Sequence, residues 1–289
     1  METANIYRAV EEHYSSRASA ASEFSQTEAI VDSDRVASAF GYTTEELSTI
    51  PVTSNLGLSC GNPVATANLK EGETFLDLGS GGGLDVFLAA KRVGPAGKCI
   101  GIDMNDKMLE LARTNATKGG YTNVQFVKGL IHDLPLAPQS VDIISSNCVL
   151  NLVPETDKPA VFLEITRVLK PGGRLAISDI LLKKPLPEDL LSDVSLYVGC
   201  ISGASTPKQY LEWMASAGLS DMTIVDTKKD LNVYKLNRSN QEKPRACCVG
   251  SESSGCGLKP SDSKPTPSIR DLDLNHYAAS YQIYAVKNK

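Results

Sequence analysis

Phe75-Leu76-Asp77-Leu78-Gly79-Ser80-Gly81-Gly82-Gly83 decides how the rest of the chain is read. A short apolar run ends in an aspartate and then in alternating glycines, and Leu84-Asp85-Val86-Phe87-Leu88-Ala89-Ala90 follows. The run reads as a buried strand and the segment after it as a helix, so the glycines occupy a strand-to-helix turn. Glycine admits positive φ and the close approach of a ligand there, and the helix start beyond it offers unpaired N–H groups. Cys99-Ile100-Gly101-Ile102-Asp103 reads as a second strand ending in an acid, where a nucleotide ribose finds a hydrogen-bond acceptor. Gly79-x-Gly81-x-Gly83 departs from the dinucleotide spacing G-x-G-x-x-G, and a lone glycine-rich turn would be an ordinary loop. Strand, acid, glycines, helix, strand and acid in this order point to a nucleoside-type cofactor.

Outward from this unit the chain alternates strand and helix. Strands are expected at Thr74–Leu78, Cys99–Asp103, Val124–Lys128, Val141–Ser145 and Arg174–Asp179. Helices are expected at about Leu84–Val93, Lys107–Gly119 and Lys158–Leu169. The alternation implies an α/β fold, a doubly wound, mostly parallel sheet with helices on both faces. Pro187–Tyr197 reads as an inserted helix, Thr206–Ala217 as another, and Met222–Thr227 as a sixth strand. Tyr281-Gln282-Ile283-Tyr284-Ala285-Val286 alternates like a terminal strand. Before the core, residues to about Asp34 read as helical and partly mobile, and Thr43-Thr44-Glu45-Glu46 fits a capping box. The expected division is an N-terminal helical segment (1–50), a nucleoside-binding core (51–180) and a C-terminal part (181–289). That last part carries a loosely ordered Ser/Pro/Lys-rich insertion over about 237–273.

With 289 residues and a net charge of -5, the chain fits a soluble globular protein without nucleic acid as its main partner. No apolar run approaches the ~20 residues that span a bilayer, and no secretory signal is visible at Met1-Glu2-Thr3-Ala4. The seven cysteines are therefore expected to be reduced thiols in a cytoplasmic setting.

In a doubly wound sheet, ligands bind beyond the carboxyl ends of the strands. Asp77, Gly79, Ser80, Gly81 and Gly83 follow the first strand there, Asp103-Met104 the second, and Ser146-Asn147-Cys148 the fourth. Leu130-Ile131-His132-Asp133 follows the third, where an adenine would lie against an apolar side chain. His132 itself reads as a solvated loop residue, Asp85 as an acid suited to the helix dipole, and Cys99 as core filler. Cys60, Cys148 and Cys200 share no C-x-x-C spacing. Each nevertheless lies in a polar or glycine-containing turn, Ser59-Cys60-Gly61-Asn62, Ser146-Asn147-Cys148 and Gly199-Cys200-Ile201-Ser202-Gly203-Ala204, which makes a shared thiol site plausible.

The stretches Asn55-Leu56-Gly57-Leu58-Ser59-Cys60-Gly61-Asn62-Pro63, Leu76–Asp85, Ser146–Leu152, Arg167–Asp179 and Gly199–Ala204 together resemble the arsenite S-adenosylmethionine methyltransferases of the fungal or microbial type. The resemblance runs from about Tyr42 to Gly218. It implies a Rossmann-like class I methyltransferase fold whose last strand, Tyr281–Val286, pairs antiparallel beside the sixth. S-adenosylmethionine would be the cofactor and S-adenosylhomocysteine its product, with Asp77, Gly79, Ser80, Gly81, Gly83, Asp103, Met104, Ile131 and Asn147 as contacts. It makes Cys60, Cys148 and Cys200 both the catalytic residues and the ligands of trivalent arsenic. The partners it implies are arsenite or methylarsenite as thiol conjugates and a thiol reductant such as glutathione or thioredoxin, with the protein a monomer bound to neither nucleic acid nor membrane. The family often carries a further cysteine upstream, and this chain has none before Cys60. Cys247, Cys248 and Cys256 are candidates for auxiliary arsenic capture. The competing reading is a methyltransferase acting on carbon, oxygen or nitrogen of a small metabolite such as a quinone or sterol, which leaves the three cysteine turns without a task.

Overall fold

The computed structural model describes residues 3–23, 28–187, 200–234 and 273–289. The inserted helix expected after Pro187, the insertion before Asp273 and the thiols Cys247, Cys248 and Cys256 lie outside the described residues.

One seven-stranded sheet forms the centre, built from β1 (Thr74–Leu78), β2 (Lys98–Asp103), β3 (Val124–Lys128), β4 (Val141–Asn147), β5 (Leu169–Leu182), β6 (Leu219–Asp226) and β7 (Ala278–Lys287), in the order β3-β2-β1-β4-β5-β7-β6. The first five strands pair in parallel. β7 runs antiparallel to both β5 and β6, lying between them rather than only beside β6. This is the Rossmann-like class I methyltransferase fold. β5 is longer than its sequence pattern suggested, because the Lys170-Pro171-Gly172-Gly173 turn joins it and its far end pairs with β7 as far as Leu182↔Ala278. A strand buried on both faces carries no alternating pattern from which to read its ends.

Helices α5 (Leu84–Val93) and α6 (Asp106–Lys118) cover one face, where Phe75, Phe87, Val93 and Leu109 pack with the fully buried Cys99. Helices α7 (Lys158–Val168) and α8 (Pro207–Ser216) cover the other, through Phe162, Ile165, Tyr210 and Met214 against Leu76, Ile144 and Leu175. Each hides an apolar stripe that the sheet complements, the main stabilising term of such layers.

The N-terminal segment holds α1 (Thr3–Glu23), α2 (Glu28–Ala39) and α3 (Thr44–Ser48), the last with the expected capping box of Thr43 and Glu46; a further short helix, α4 (Pro63–Thr66), follows Cys60. α1 runs straight through the serine-rich tract. Ala18 is buried beside Met108 and Leu111, and the Asn105 amide donates to Glu11 O (2.9 Å) and Ser15 Oγ (2.8 Å). Because Asn105 also caps α6, α1 is fastened above the carboxyl end of β2. The strand order reverses between β1 and β4, and the crevice opens beyond their carboxyl ends. α1 forms one of its walls.

Candidate active site

The crevice is a cavity with about 1100 Å³ of empty space, its open mouth included. The turn after β1 forms its floor. Gly81 has φ +51 and a Cβ there would meet nothing, so its backbone faces open space. Gly81 N–H donates to Asp103 Oδ2 (2.9 Å), and Asn105 N–H donates to Oδ1 (2.9 Å). Asp103 thus stands fixed at the end of β2 with lone pairs left over on both oxygens. Ser80 Oγ is buried without a partner. Asp77, Gly79, Met104, Ile131, Asn147 and Cys148 line the same cavity, whereas Gly83 packs against Phe87 and Phe126 and only shapes the turn.

His132 is a wall residue, not a solvated one. The Tyr7 hydroxyl lies 3.1 Å from its Nδ1 and donates to Asp157 Oδ2 (2.8 Å), which draws α1 across the mouth.

Three cysteines gather at the far end. Cys60, Cys148 and Cys200 are all buried in one apolar cluster. The Sγ atoms of Cys60 and Cys148 and a carboxylate oxygen of Asp179 lie within 4.8 Å of one another. Cys200 stands behind Cys148 and donates its S–H to Cys148 O (3.0 Å). The carbonyl of Ser178 accepts from Cys148 N–H (2.9 Å) and Cys60 S–H (3.3 Å), so the end of β5 holds both residues. Gly61 is required by this approach, since a Cβ there would come within 2.5 Å of the Ser178 side chain. Cys148 (φ +61) and Cys200 (φ +63) are both in the left-handed region. Such conformations cost on the order of 1–3 kcal/mol in a residue other than glycine and persist where surroundings enforce them.

Burial pushes Cys60 up to about 12. The Cys200 contact works to lower Cys148, but the Cys60 contact and burial carry it well above the ordinary thiol range. The Cys148 contact and burial raise Cys200 likewise. All three are therefore protonated at neutral pH. Burial also pushes Asp179 up to about 6, against the Tyr210 hydroxyl and the Ile180 N–H that donate to it.

Several groups escaped the sequence reading. Asp85 is buried rather than merely facing the helix dipole: it accepts from the Tyr42 hydroxyl (2.6 Å) and the Asn147 amide (3.1 Å). Asn147 in turn accepts from Cys60 N–H (3.1 Å) and donates to Gly61 O (2.9 Å), so its amide holds the cysteine loop. Tyr14 of α1 hydrogen-bonds Cys200. The spacing of Tyr7, Val10 and Tyr14 marks one helix face, a signal that was present but pointed to no partner. Asp179 closes the strand that the sequence pattern marks, the kind of position that singled out Asp103, although β5 itself runs on to Leu182.

The methyltransferase domain family matches residues 69–218. An arsenite methyltransferase of Halobacterium salinarum is 46% identical over 71% of this chain and 55% of its own length. The arsenite methyltransferase of Homo sapiens is 41% identical over 45% of this chain and 36% of its own. The chain therefore spans about half the archaeal relative's length and less of the human one's. A crystal structure of an arsenic(III) S-adenosylmethionine methyltransferase from Chlamydomonas reinhardtii is similar with a TM-score of 0.53 and 27% identity, over 92% of this chain and 75% of that one.

Proposed function

The chain belongs to the methyltransferase domain family, and on that premise we propose that it methylates trivalent arsenic, as arsenite or methylarsenite, with S-adenosylmethionine as donor. One observation carries this reading: a single cavity runs from the glycine turn and Asp103 to Cys148, with Cys60 and Cys200 packed behind that cysteine. The similarity to arsenite methyltransferases supports the same substrate.

The cavity fits the donor. Asp103 keeps acceptor sites for ribose hydroxyls, Ile131 and Met104 offer an apolar wall for adenine, and the buried Ser80 hydroxyl and open Gly81 backbone suit a polar, closely approaching chain. Bound there, S-adenosylmethionine supplies an electrophilic methyl group on a sulfonium. The thiols deliver the other reactant. Arsenous acid exchanges each hydroxide for a thiol, one As–S bond replacing one As–O bond while the thiol proton leaves with the hydroxide as water. Soft thiolates suit a soft ion. Sulfur on three sides leaves the arsenic lone pair as nucleophile, and a nucleophile without a proton needs no general base. The protein's contribution is placement and the exclusion of water by α1.

Methyl transfer oxidises arsenic, so repeated turnover calls for a thiol reductant of the glutathione or thioredoxin kind. A reducing cytoplasm would keep the buried thiols free, and no helix among the described residues is long and apolar enough to cross a membrane. Incubating purified protein with arsenite, excess thiol and methyl-labelled S-adenosylmethionine tests the proposal. Labelled methylarsenicals are expected, and cofactor binding without any labelled arsenical would overturn it.

A further inference from the structure

Lys158 is a fully buried lysine to which the proposed reaction gives no task. It is the first residue of α7, its side chain is 1% exposed, and its ammonium makes three hydrogen bonds, to Gly203 O (2.5 Å), Ser205 Oγ (2.7 Å) and Glu155 Oε2 (3.2 Å). Two of these acceptors belong to the loop that begins with Cys200. Burying an ammonium is unfavourable unless each proton finds a partner. Here each does, and the geometry assigns the whole arrangement to one short segment of chain.

That segment is held by individual hydrogen bonds rather than by a regular ladder. Between Cys200 and Ser205 it forms no helix or strand. Beside Lys158, the Asn151 amide donates to Cys200 O (3.1 Å), the Leu182 N–H to Ser205 O (3.0 Å), the Ser205 hydroxyl to Glu155 Oε2 (3.3 Å), and Ala204 N–H closes a turn onto Ile201 O (3.1 Å). It must nevertheless keep Cys200 at φ +63 with its sulfur turned toward Cys148. A left-handed cysteine relaxes unless its surroundings hold it. Asn151 grips the front of the loop and Lys158 grips the back.

We infer that Lys158 is the positioning residue for Cys200: its ammonium clamps Gly203 and Ser205 onto α7, so that the third thiol stands where arsenic collects it. Trivalent arsenic needs sulfurs in a pyramidal set, and a displaced third sulfur leaves the ion on two thiols with an oxygen in the remaining position. The inference rests on the arsenic reading, but its first consequence does not need arsenic. The alternative is that Lys158, 5.9 Å from the Trp213 ring, merely joins α7 to α8.

The experiment uses Lys158→Met, which keeps the length and apolar stem of the side chain, and Ser205→Ala, which removes one acceptor and keeps the lysine. Alkylation of the folded, arsenic-free protein is followed by mass spectrometry for each cysteine separately. Lys158→Met is expected to speed modification of Cys200 about tenfold or more with Cys60 and Cys148 within twofold, and Ser205→Ala to act in the same direction more weakly. With arsenite bound, X-ray absorption should count two sulfurs on arsenic in Lys158→Met against three in the unsubstituted protein. The arsenite concentration at half-maximal rate should rise about tenfold while S-adenosylmethionine affinity stays within twofold. Unchanged Cys200 reactivity in both variants, or equal acceleration at all three cysteines, would overturn the assignment. Failure of the unsubstituted protein to bind arsenite would instead count against the proposed function.

Discussion

Changing the pH from about 6 to about 8 is expected to leave the equilibrium affinity for arsenite unaltered, although its ligands are thiols. With Cys60 near 12, on the order of one thiol in 100 000 is ionised at pH 7, against a few per cent for an exposed cysteine near ~8.5. If binding expelled thiol protons into solution, affinity would climb about tenfold per pH unit for each thiol. Neutral arsenous acid avoids this, because every hydroxide it gives up carries one thiol proton away as water and the balance for protons is zero. A divalent ion such as zinc has no such route. It must release a proton from each thiol it takes, so its affinity should rise roughly a hundredfold per pH unit for two thiols and a thousandfold for three. Burial of Cys60, Cys148 and Cys200 would then favour arsenic over zinc at neutral pH without any difference in contacts. Calorimetric titration in two buffers of different ionisation enthalpy counts the protons directly. About zero for arsenite and two or three for zinc are expected. Release of one or more protons on arsenite binding, or arsenite affinity rising tenfold per unit, would refute the reasoning.

Three further outcomes follow from the geometry. Asp103→Ala should weaken S-adenosylmethionine binding by roughly 1.5–3 kcal/mol, the worth of hydrogen bonds to a charged group, and leave arsenite binding nearly intact; calorimetry with each ligand reads both. Cys148→Ser and Cys200→Ser should each abolish methyl transfer while the thermal transition persists, since serine keeps the shape but ligates a soft ion poorly; near-normal turnover on methylarsenite in either variant would count against three-thiolate binding. Asp85 and Asp179 both lie near 6 through burial, above their unfolded values near ~3.9, so the folded state holds more protons in that window and stability should fall as pH rises from about 4 to about 6. Urea denaturation across that range checks the sign, and Asp179→Asn should reduce the slope.

The motif and the alternation of strands and helices were legible in the chain because each rests on local pattern: apolar runs of strand length, glycines where the backbone must turn, and acids at strand ends; the antiparallel last strand followed from the family resemblance, and the strand order from the structure. Cys99 could be set aside as core from its position at the start of β2, and it is fully buried. The gathering of Cys60, Cys148 and Cys200 could only be suspected from their polar turns, since no spacing links residues so far apart. Tertiary structure decided the rest. The Asp85–Tyr42–Asn147 network, the placement of Asp179 beside two thiols, Tyr7 and Tyr14 across the crevice, and Lys158 under the Cys200 loop all join elements distant in sequence. Local sequence sets the dihedral preferences and apolar periodicity of one element at a time. Which polar group meets which is settled only when packed layers bury them together; that packing also moves the thiols far from their ordinary range, Cys60 through burial and Cys148 and Cys200 through their contacts with neighbouring cysteines together with burial.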